Sequence, residues 1–388
     1  MQYRVNPKNG DRLSQLGLGC MRFPKSEEET RKMIVQAVKD GVNYFDTAYI
    51  YSGSEETLGK IVKEEGLRDK IFIATKLPPY LVKKPEDLDK IFHTQLERLQ
   101  TDYIDYYFMH MLTDELTWER LKGLGICEWI AQKKESGQIR NIGFSYHGGK
   151  EEFIKIIDAY DWEFCMIQYN YFDEHKQAGR SGLEYAHAKG LPVMIMEPLR
   201  GGKLVTKLPQ KVYETFREAD ANRSPAEWAL RWVWNHKEVT VVLSGMNSMQ
   251  MLEENVYTAS QAKAGQMSKE ELALFRKVSD ILDRSIKVAC TACGYCMPCP
   301  RGVDIPTCFA VYNDMSVEGK WASVKNYLMQ TSIKKEPHNA SLCVDCGKCE
   351  QHCPQNIEIR KELKNVKRAL EGIYYKPARV LIKKFFKF

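Results

Sequence analysis

Short apolar runs alternate with segments of helical periodicity from the start of the chain to about residue 258. Each run has the length of one buried strand, and the segments between runs are long enough for a helix. Eight such runs can be counted, at 16–21, 44–48, 71–75, 103–110, 139–145, 164–170, 192–198 and 239–245. The pattern therefore predicts eight strand–helix units in succession.

The helical segments carry start and stop signals. Ser26 precedes a periodic segment with Glu29 three residues on, and Gly41 follows its end, which is typical of a capped helix. Pro85 and Pro225 stand where helices begin. Eight units in this length favour an α/β fold of the closed (β/α)8 TIM-barrel type. The alternative is an open doubly wound sheet, but no G-x-G-x-x-G follows the first strand.

Polar residues gather at the predicted strand ends, which is where (β/α)8 barrels place their chemistry. They are Asp46, Tyr51, Lys76, His110, Ser145, Gln168, Asn170 and Glu197. Each alone has an ordinary structural explanation, such as a helix cap or a loop aromatic. Their common position at the same end of the barrel favours a site.

Four of these residues together could donate a proton to a carbonyl oxygen. A phenol is a weak acid, and a neighbouring ammonium favours its ionised form. Lys76 would act in this way on Tyr51, and Asp46 would hold Lys76 in its charged form. His110 could donate a hydrogen bond to the substrate oxygen while hydride reaches the carbon.

At these residues the chain resembles the aldo-keto reductase family. The stretch NYFDTAYIYSGSEETLG contains Asp46 and Tyr51, ATK ends at Lys76, and YFMH ends at His110. The resemblance covers residues 1–262 and implies reduction of a small-molecule carbonyl, or oxidation of an alcohol, with NAD(P)H. It also implies a set of cofactor-binding residues: Ser145, Gln168, Glu197, Leu199, Gly201, Ser244, Glu254 and Asn255.

Two positions depart from the family pattern. Tyr146 follows Ser145, where the family usually has Asn. Gly245 and Met251 stand where a Lys and an Arg usually hold the 2′-phosphate of NADPH. Because the cationic partners of that phosphate are missing, we expect the family's preference for NADPH to be weakened.

Composition indicates a large globular protein. The chain has 388 residues, 44% of them hydrophobic and 28% charged, which is enough for two domains. A net charge of +6 does not by itself indicate nucleic-acid binding. We find no signal peptide and no apolar run long enough for a membrane span, and so we expect a cytoplasmic protein.

Nine of the twelve cysteines lie between Cys290 and Cys353. The stretches CTACGYCMPCP (290–300) and CVDCGKCEQHCP (343–354) each place three cysteines at C-x2-C steps and a fourth before proline. This spacing is typical of two-cluster ferredoxins, in which the fourth cysteine of one motif binds the other motif's iron. The first motif departs slightly, with C-x2-C before Pro300 where ferredoxins have C-x3-C. Structural zinc is the alternative, but zinc sites commonly separate two ligand pairs by a long spacer.

The spacing predicts two 4Fe-4S clusters with crossed ligation. The expected ligand sets are Cys290, Cys293, Cys296 and Cys353 for one cluster, and Cys343, Cys346, Cys349 and Cys299 for the other. Cys308 is a possible substitute ligand. Two helical segments lie between the motifs, so residues 263–370 resemble a small, mainly helical ferredoxin-like domain.

The segment 371–388 forms a basic, aromatic tail. It could contact an anionic membrane surface or pack on protein, and Pro377 interrupts any long helix in it.

Three functions remain open for a chain that combines a reductase-like barrel with a two-cluster domain. Nicotinamide carries two electrons as hydride whereas the clusters carry one at a time. In the first, an NAD(P)H-dependent reductase exchanges electrons with a redox partner protein, through a flavin or a radical step. In the second, the clusters feed single electrons to a carbonyl without nicotinamide. In the third, the clusters are structural and the chain is a docking module. We favour the first because Ser145 and Gln168 keep the nicotinamide contacts; substrate and oligomeric state do not follow from the sequence.

Overall fold

The computed structural model describes residues 1–112, 114–206, 208–332, 336–375 and 377–379, and for Val317 the backbone alone. Most of the predicted tail, namely residue 376 and residues 380–388, lies outside this range. Within it, no helix is both long and apolar enough to cross a membrane.

Contacts divide the chain into two compact units. The first comprises residues 1–199 and 226–272, and the second comprises residues 200–225 and 273–388. This division differs from the contiguous one drawn from the sequence, because a segment between two barrel strands groups with the cysteine-rich part of the chain.

The first unit is a closed parallel barrel, and all eight predicted strands are present in it. A short antiparallel hairpin, β1 (Tyr3–Val5) and β2 (Arg12–Ser14), precedes the barrel. The barrel strands are β3 (Leu16–Gly19), β4 (Tyr44–Asp46), β5 (Phe72–Leu77), β6 (Ile104–Met109), β7 (Ile139–Tyr146), β8 (Phe164–Gln168), β9 (Val193–Met196) and β10 (Val239–Ser244). They pair in sequence order, and β10 pairs with β3 to close the ring. The predicted TIM-barrel fold is confirmed.

Helices follow the strands. In chain order they are α1 (Glu27–Lys39), α2 (Ser54–Glu64), α3 (Glu86–Leu99), α4 (Glu115–Lys122), α5 (Ile126–Glu135), α6 (Lys150–Asp158), α7 (Gly179–Ala188), α8 (Gln210–Ala219), α9 (Pro225–Trp234) and α10 (Met249–Gln261). The predicted cap of α1 is present, because the Ser26 side chain accepts a hydrogen bond from the amide of Glu29. The predicted start of α9 at Pro225 is also correct.

The interior of the barrel is filled by alternate residues of the strands. Its buried cluster contains Leu13, Tyr44, Ala74, Tyr106, Phe108, Phe164, Met166, Met194, Val241 and Leu243. Since side chains alternate between the two faces of a strand, residues two positions beyond these also face inward.

The second unit is mainly helical, as predicted. It contains α8, most of α11 (Lys269–Ser285), α12 (Ile305–Glu318), α13 (Lys320–Thr331) and α14 (Ile359–Leu370). Its core is formed by apolar residues of α12, α13 and α14, and six of the motif cysteines pack against that core. The cysteine motifs are thus anchored by helices.

Candidate active site and cluster pockets

Strand alternation brings the predicted catalytic residues to one end of the barrel. Asp46 lies two residues beyond Tyr44, and Lys76 lies two residues beyond Ala74, so both point inward above the apolar core. His110 follows Phe108 in the same way. All three polar side chains are buried.

Lys76 contacts both of its predicted neighbours. Its ammonium group donates hydrogen bonds to the carboxylate of Asp46 and, at 2.7 Å, to the carbonyl of Thr47. The same nitrogen lies 5.1 Å from the centre of the Tyr51 ring. Burial raises the pKa of Asp46, and the charge of Lys76 opposes that rise. The pair therefore fixes a positive charge beside the phenol.

His110 completes the group. Its ring meets the ring of Tyr51 edge-on, with centroids 5.9 Å apart. Burial lowers the pKa of His110 well below its ordinary value, and the charges of Lys76 and His147 lower it further. A neutral imidazole can donate a hydrogen bond from one nitrogen, so His110 is suited to holding a carbonyl oxygen.

A buried carboxylate from the stretch NYFDTAYIYSGSEETLG, Glu55, supports the strand of Lys76. Glu55 is fully buried and accepts hydrogen bonds from Thr75 at 2.6 Å and from Gln95 at 2.9 Å. It also pairs with Arg98 at 3.1 Å. Gln95 donates in turn to the carbonyl of Lys76 at 3.2 Å. Through Gln95, this network fixes the backbone of Lys76 by a hydrogen bond.

The predicted nicotinamide-binding residues of the barrel lie at the same end as the catalytic group. Ser145 and Gln168 are buried near the ends of β7 and β8. The Ser145 hydroxyl accepts a hydrogen bond from the amide of Met111, directly after His110. Ser244 ends β10, and Asn255 of α10 donates to its hydroxyl at 3.0 Å. Glu254 accepts a hydrogen bond from Gln250 on the same helix.

Tyr146 faces away from the barrel interior. Its ring packs on Phe153 with centroids 4.9 Å apart, and its hydroxyl donates to the carbonyl of Gly149. Tyr146 therefore packs between β7 and α6. It makes packing contacts at a position where the family usually has Asn.

His147 is the inward residue two positions beyond Ser145, and it is 5% exposed. Its Nδ1 lies 3.3 Å from Oε1 of Gln177, whose amide donates to Gln168 at 2.9 Å. Burial lowers the pKa of His147 to about 4. His147 was not predicted from the sequence, although the two-residue period of β7, continued past Ser145, points to it.

The loop predicted to bind the pyrophosphate passes from the first unit to the second, between Leu199 and Arg200. Glu197 has a positive φ of 53° and, with Leu199, belongs to the barrel unit. Gly201 belongs to the second unit with a φ of 64°, and a Cβ there would lie 2.5 Å from the carbonyl oxygen of Thr291. Only glycine fits that approach.

Arg200 stands in the same loop, where the sequence offers it or Lys203 as a partial replacement for the missing cations of the 2′-phosphate site. It is buried, and its guanidinium donates to the carbonyl of Ala289 at 3.2 Å. It lines a pocket of the second unit together with Lys203 and Cys290. A positive charge is thus placed beside the first cysteine of the first motif.

Four cysteines line one pocket of the second unit. They are Cys290, Cys293, Cys296 and Cys353. The remaining lining is largely apolar and includes Ile305, Phe309 and Ile357. Burial raises the pKa of Cys296 to about 12, with further rises from the charges of the other three cysteines. The pocket therefore contains the sulfurs of the first predicted crossed set.

The other cysteines form a second group. Burial raises the pKa of Cys349 to about 11, and the charges of Cys343 and Cys299 contribute to that rise. Cys346, the fourth member of the set, is exposed. Cys299 comes from the first motif, and so this grouping also crosses the motifs.

The two motifs repeat one backbone conformation. Ala292 and Asp345, each before the second cysteine, have φ values of 57° and 59°. Gly294 and Gly347, each after that cysteine, have φ values of 83° and 75°. Such turns direct backbone amides toward a negatively charged group, and the amide of Ala292 donates to the sulfur of Cys290 at 3.4 Å.

Cys308 lies elsewhere. It is fully buried in the helical core, within hydrogen-bonding reach of the Tyr327 hydroxyl at 3.7 Å. The twelve cysteines form no disulfide in the described chain. Cys308 therefore belongs to the packing of α12.

Comparisons with known proteins agree with both parts of the chain. The model of the Aldo/keto reductase family matches residues 15–280, and that of the 4Fe-4S dicluster domain matches residues 289–358.

Individual relatives match the barrel part. L-galactose dehydrogenase of Arabidopsis thaliana is 26% identical, with 70% of this chain and 92% of that protein covered. Glyoxal reductase of Bacillus subtilis is 30% identical, with 61% and 80% covered. The holo form of an aldo-keto reductase from Bacillus halodurans superimposes with a TM-score of 0.60 at 25% identity, over 72% of this chain and 96% of that one.

Proposed function

Because this chain belongs to the aldo/keto reductase family and carries a 4Fe-4S dicluster domain, we propose that Tyr51 protonates a small-molecule carbonyl in a reaction linked to both clusters. In the reverse direction the same site would oxidise an alcohol. The observation that carries the proposal is the position of Lys76, which contacts Asp46 and lies 5.1 Å from the centre of the Tyr51 ring.

The described residues account for proton transfer. Lys76 stabilises the negative charge that Tyr51 acquires when it gives up its proton. Neutral His110 donates a hydrogen bond to the substrate oxygen and so orients the carbonyl toward Tyr51. Asp46 is held by Lys76 and stabilises its charge in a site from which burial excludes water.

Five polar residues fit a nicotinamide nucleotide. Three lie at or near the ends of strands, namely Ser145, Gln168 and Ser244, and two lie within α10, namely Glu254 and Asn255. Reduced nicotinamide supplies a hydride when it is bound. Gln168 retains an amide that can donate to a carboxamide. The N-terminus of α10, close to Ser244 in sequence, suits a phosphate.

The pocket lined by four cysteines supports crossed ligation. We assign one cluster to Cys290, Cys293, Cys296 and Cys353, and the other to Cys343, Cys346, Cys349 and Cys299. Each cluster supplies or accepts one electron when it is bound. A separate redox protein would exchange electrons with the second cluster, since exposed Cys346 belongs to it. The two electrons of one hydride would pass between the nicotinamide and the clusters one at a time, through a flavin or a radical step.

The nicotinamide-free reductase is the second candidate. It is favoured by the missing cationic pair, since Met251 is 46% exposed where an Arg would be expected. The docking module, with structural clusters, would leave the polar group around Tyr51 without a role.

Anaerobic purification followed by iron, sulfide, flavin and nicotinamide analysis of one sample separates these functions. We expect about eight irons per chain, from two four-iron clusters, and carbonyl reduction with a reduced nicotinamide. Turnover with reduced methyl viologen alone would favour the nicotinamide-free reaction. A fully loaded protein with no reductase activity would favour the docking module.

A further inference from the structure

His147 is a buried titratable group that proton transfer does not use. It directly follows the last residue of β7 and lies two positions beyond the inward-facing Ser145. Its charge, when present, lowers the pKa of His110, and so the two imidazoles are electrostatic neighbours.

The hydrogen bonds behind His147 fix the direction of its ring nitrogens. Asp173 is a carboxylate and can only accept, so the Gln168 amide nitrogen, 3.1 Å away, is the donor. The Gln168 oxygen then accepts from the amide nitrogen of Gln177 at 2.9 Å. This leaves the Gln177 oxygen facing Nδ1 of His147 at 3.3 Å. Nδ1 must therefore carry the proton.

A neutral imidazole protonated at Nδ1 has an acceptor at Nε2. With a pKa lowered to about 4 by burial, His147 is neutral near pH 7. Within the described residues its Nε2 accepts no hydrogen bond, as Gln177 is its one hydrogen-bonding partner there. The site thus combines a donor, His110, with a neighbouring acceptor.

We propose that His147 selects substrates that carry a hydroxyl group on the carbon next to the reacting carbonyl. The carbonyl oxygen accepts from Tyr51 and His110, and the adjacent hydroxyl donates to Nε2 of His147. The substrate class is therefore the α-hydroxycarbonyl compounds. This inference rests on the proposed carbonyl reduction at Tyr51 and names the substrate class of that site.

The test compares 2-hydroxypropanal with propanal, which lacks the hydroxyl. We expect the wild-type protein to show a kcat/KM about tenfold or more higher for 2-hydroxypropanal, because propanal has no hydroxyl to donate to Nε2 of His147, a residue that is 5% exposed. His147→Phe should bring the ratio of the two kcat/KM values to about one. His147→Ala, which adds no volume, should do the same. His147→Gln keeps an acceptor and should retain part of the preference.

The exposed His187 on α7 provides the matched control, and His187→Phe should leave the ratio unchanged. A wild-type protein that reduces both aldehydes equally well would overturn the inference while leaving carbonyl reduction intact. A folded His147→Ala protein that keeps the full preference would also overturn it. If neither aldehyde nor any other carbonyl is reduced, the proposed function itself fails.

Discussion

The ammonium nitrogen of Lys76 lies 5.1 Å from the centre of the Tyr51 ring while it is held by Asp46. Because Asp46 ends β4 and Lys76 lies one residue before the end of the neighbouring strand β5, the barrel itself sets this relationship. The positive charge of Lys76 beside the Tyr51 phenol therefore has a fixed position.

Tyr51→Phe should lower the rate of carbonyl reduction by at least about 10²-fold, the usual scale for the loss of a general acid. The fold should be preserved, since the change removes only the hydroxyl. Steady-state kinetics with circular dichroism would check both points. Tyr49→Phe, two residues away, is the control and should stay active. A Tyr51→Phe protein with near-wild-type turnover would remove Tyr51 from the mechanism.

Cys353→Ala should damage the cluster whose other three ligands lie about 60 residues earlier, because Cys353 lines the pocket of Cys290, Cys293 and Cys296. Iron analysis and electron paramagnetic resonance of the reduced protein would show which cluster is lost. Cys308→Ala is the control and should retain all the iron, since Cys308 lies in the helical core. Selective loss of the cluster at Cys343 would refute the crossed assignment.

The preference for NADPH over NADH should be weak, and one substitution should increase it. Met251 lies in the first turn of α10 with 46% of its surface exposed. Met251→Arg should strengthen NADPH binding about tenfold, with little effect on NADH, because a charge-assisted hydrogen bond contributes about 1.5–3 kcal/mol.

Fluorescence titration with both nucleotides at low and high salt measures the effect. Tyr257→Arg, on an exposed position of the same helix, controls for added charge. Wild-type protein that binds NADPH more than about 50-fold tighter than NADH would mean that another cation holds the phosphate.

Arg200→Gln should lower the reduction potential of the cluster at Cys290. A buried positive charge stabilises the more negative, reduced cluster, and the Arg200 guanidinium donates to the carbonyl directly before that cysteine. A tenfold change in the equilibrium would equal about 59 mV for one electron. Redox titration followed by electron paramagnetic resonance measures it, with exposed Arg217→Gln as the control. An unchanged potential in a fully loaded protein would contradict this role.

Acidification should destabilise the barrel in part through His147. The unfolded chain takes up a proton near the ordinary pKa of 6.5, whereas the folded chain resists protonation to about 4. Stability should therefore fall as the pH falls through this window, since the unfolded state binds more protons there. Melting curves from pH 7.5 to pH 5 should show a smaller loss for His147→Gln than for the wild-type protein. Equal losses in the two proteins would mean that His147 does not contribute.

The sequence predicted those features that depend on local order. The eight strands follow from short apolar runs, and the positions of Asp46, Lys76 and His110 follow from strand ends. Glu55 could not be assigned, because its partners Gln95 and Arg98 come from another helix. Such networks depend on side-chain contacts between segments distant in sequence, which periodicity does not report.

The segment 200–225 has a consequence for how the protein is made. Phe216 of α8 packs against Phe275, with ring centroids 6.0 Å apart, and both belong to the unit that holds the cysteine motifs. During synthesis α8 therefore leaves the ribosome well before Phe275, which packs against its Phe216. Until the ribosome has passed residue 275, Phe216 lacks this partner, and a chain terminated at residue 272 would lack it permanently. No single cut of the chain separates the two units, because residues 226–272 of the first unit follow α8 of the second.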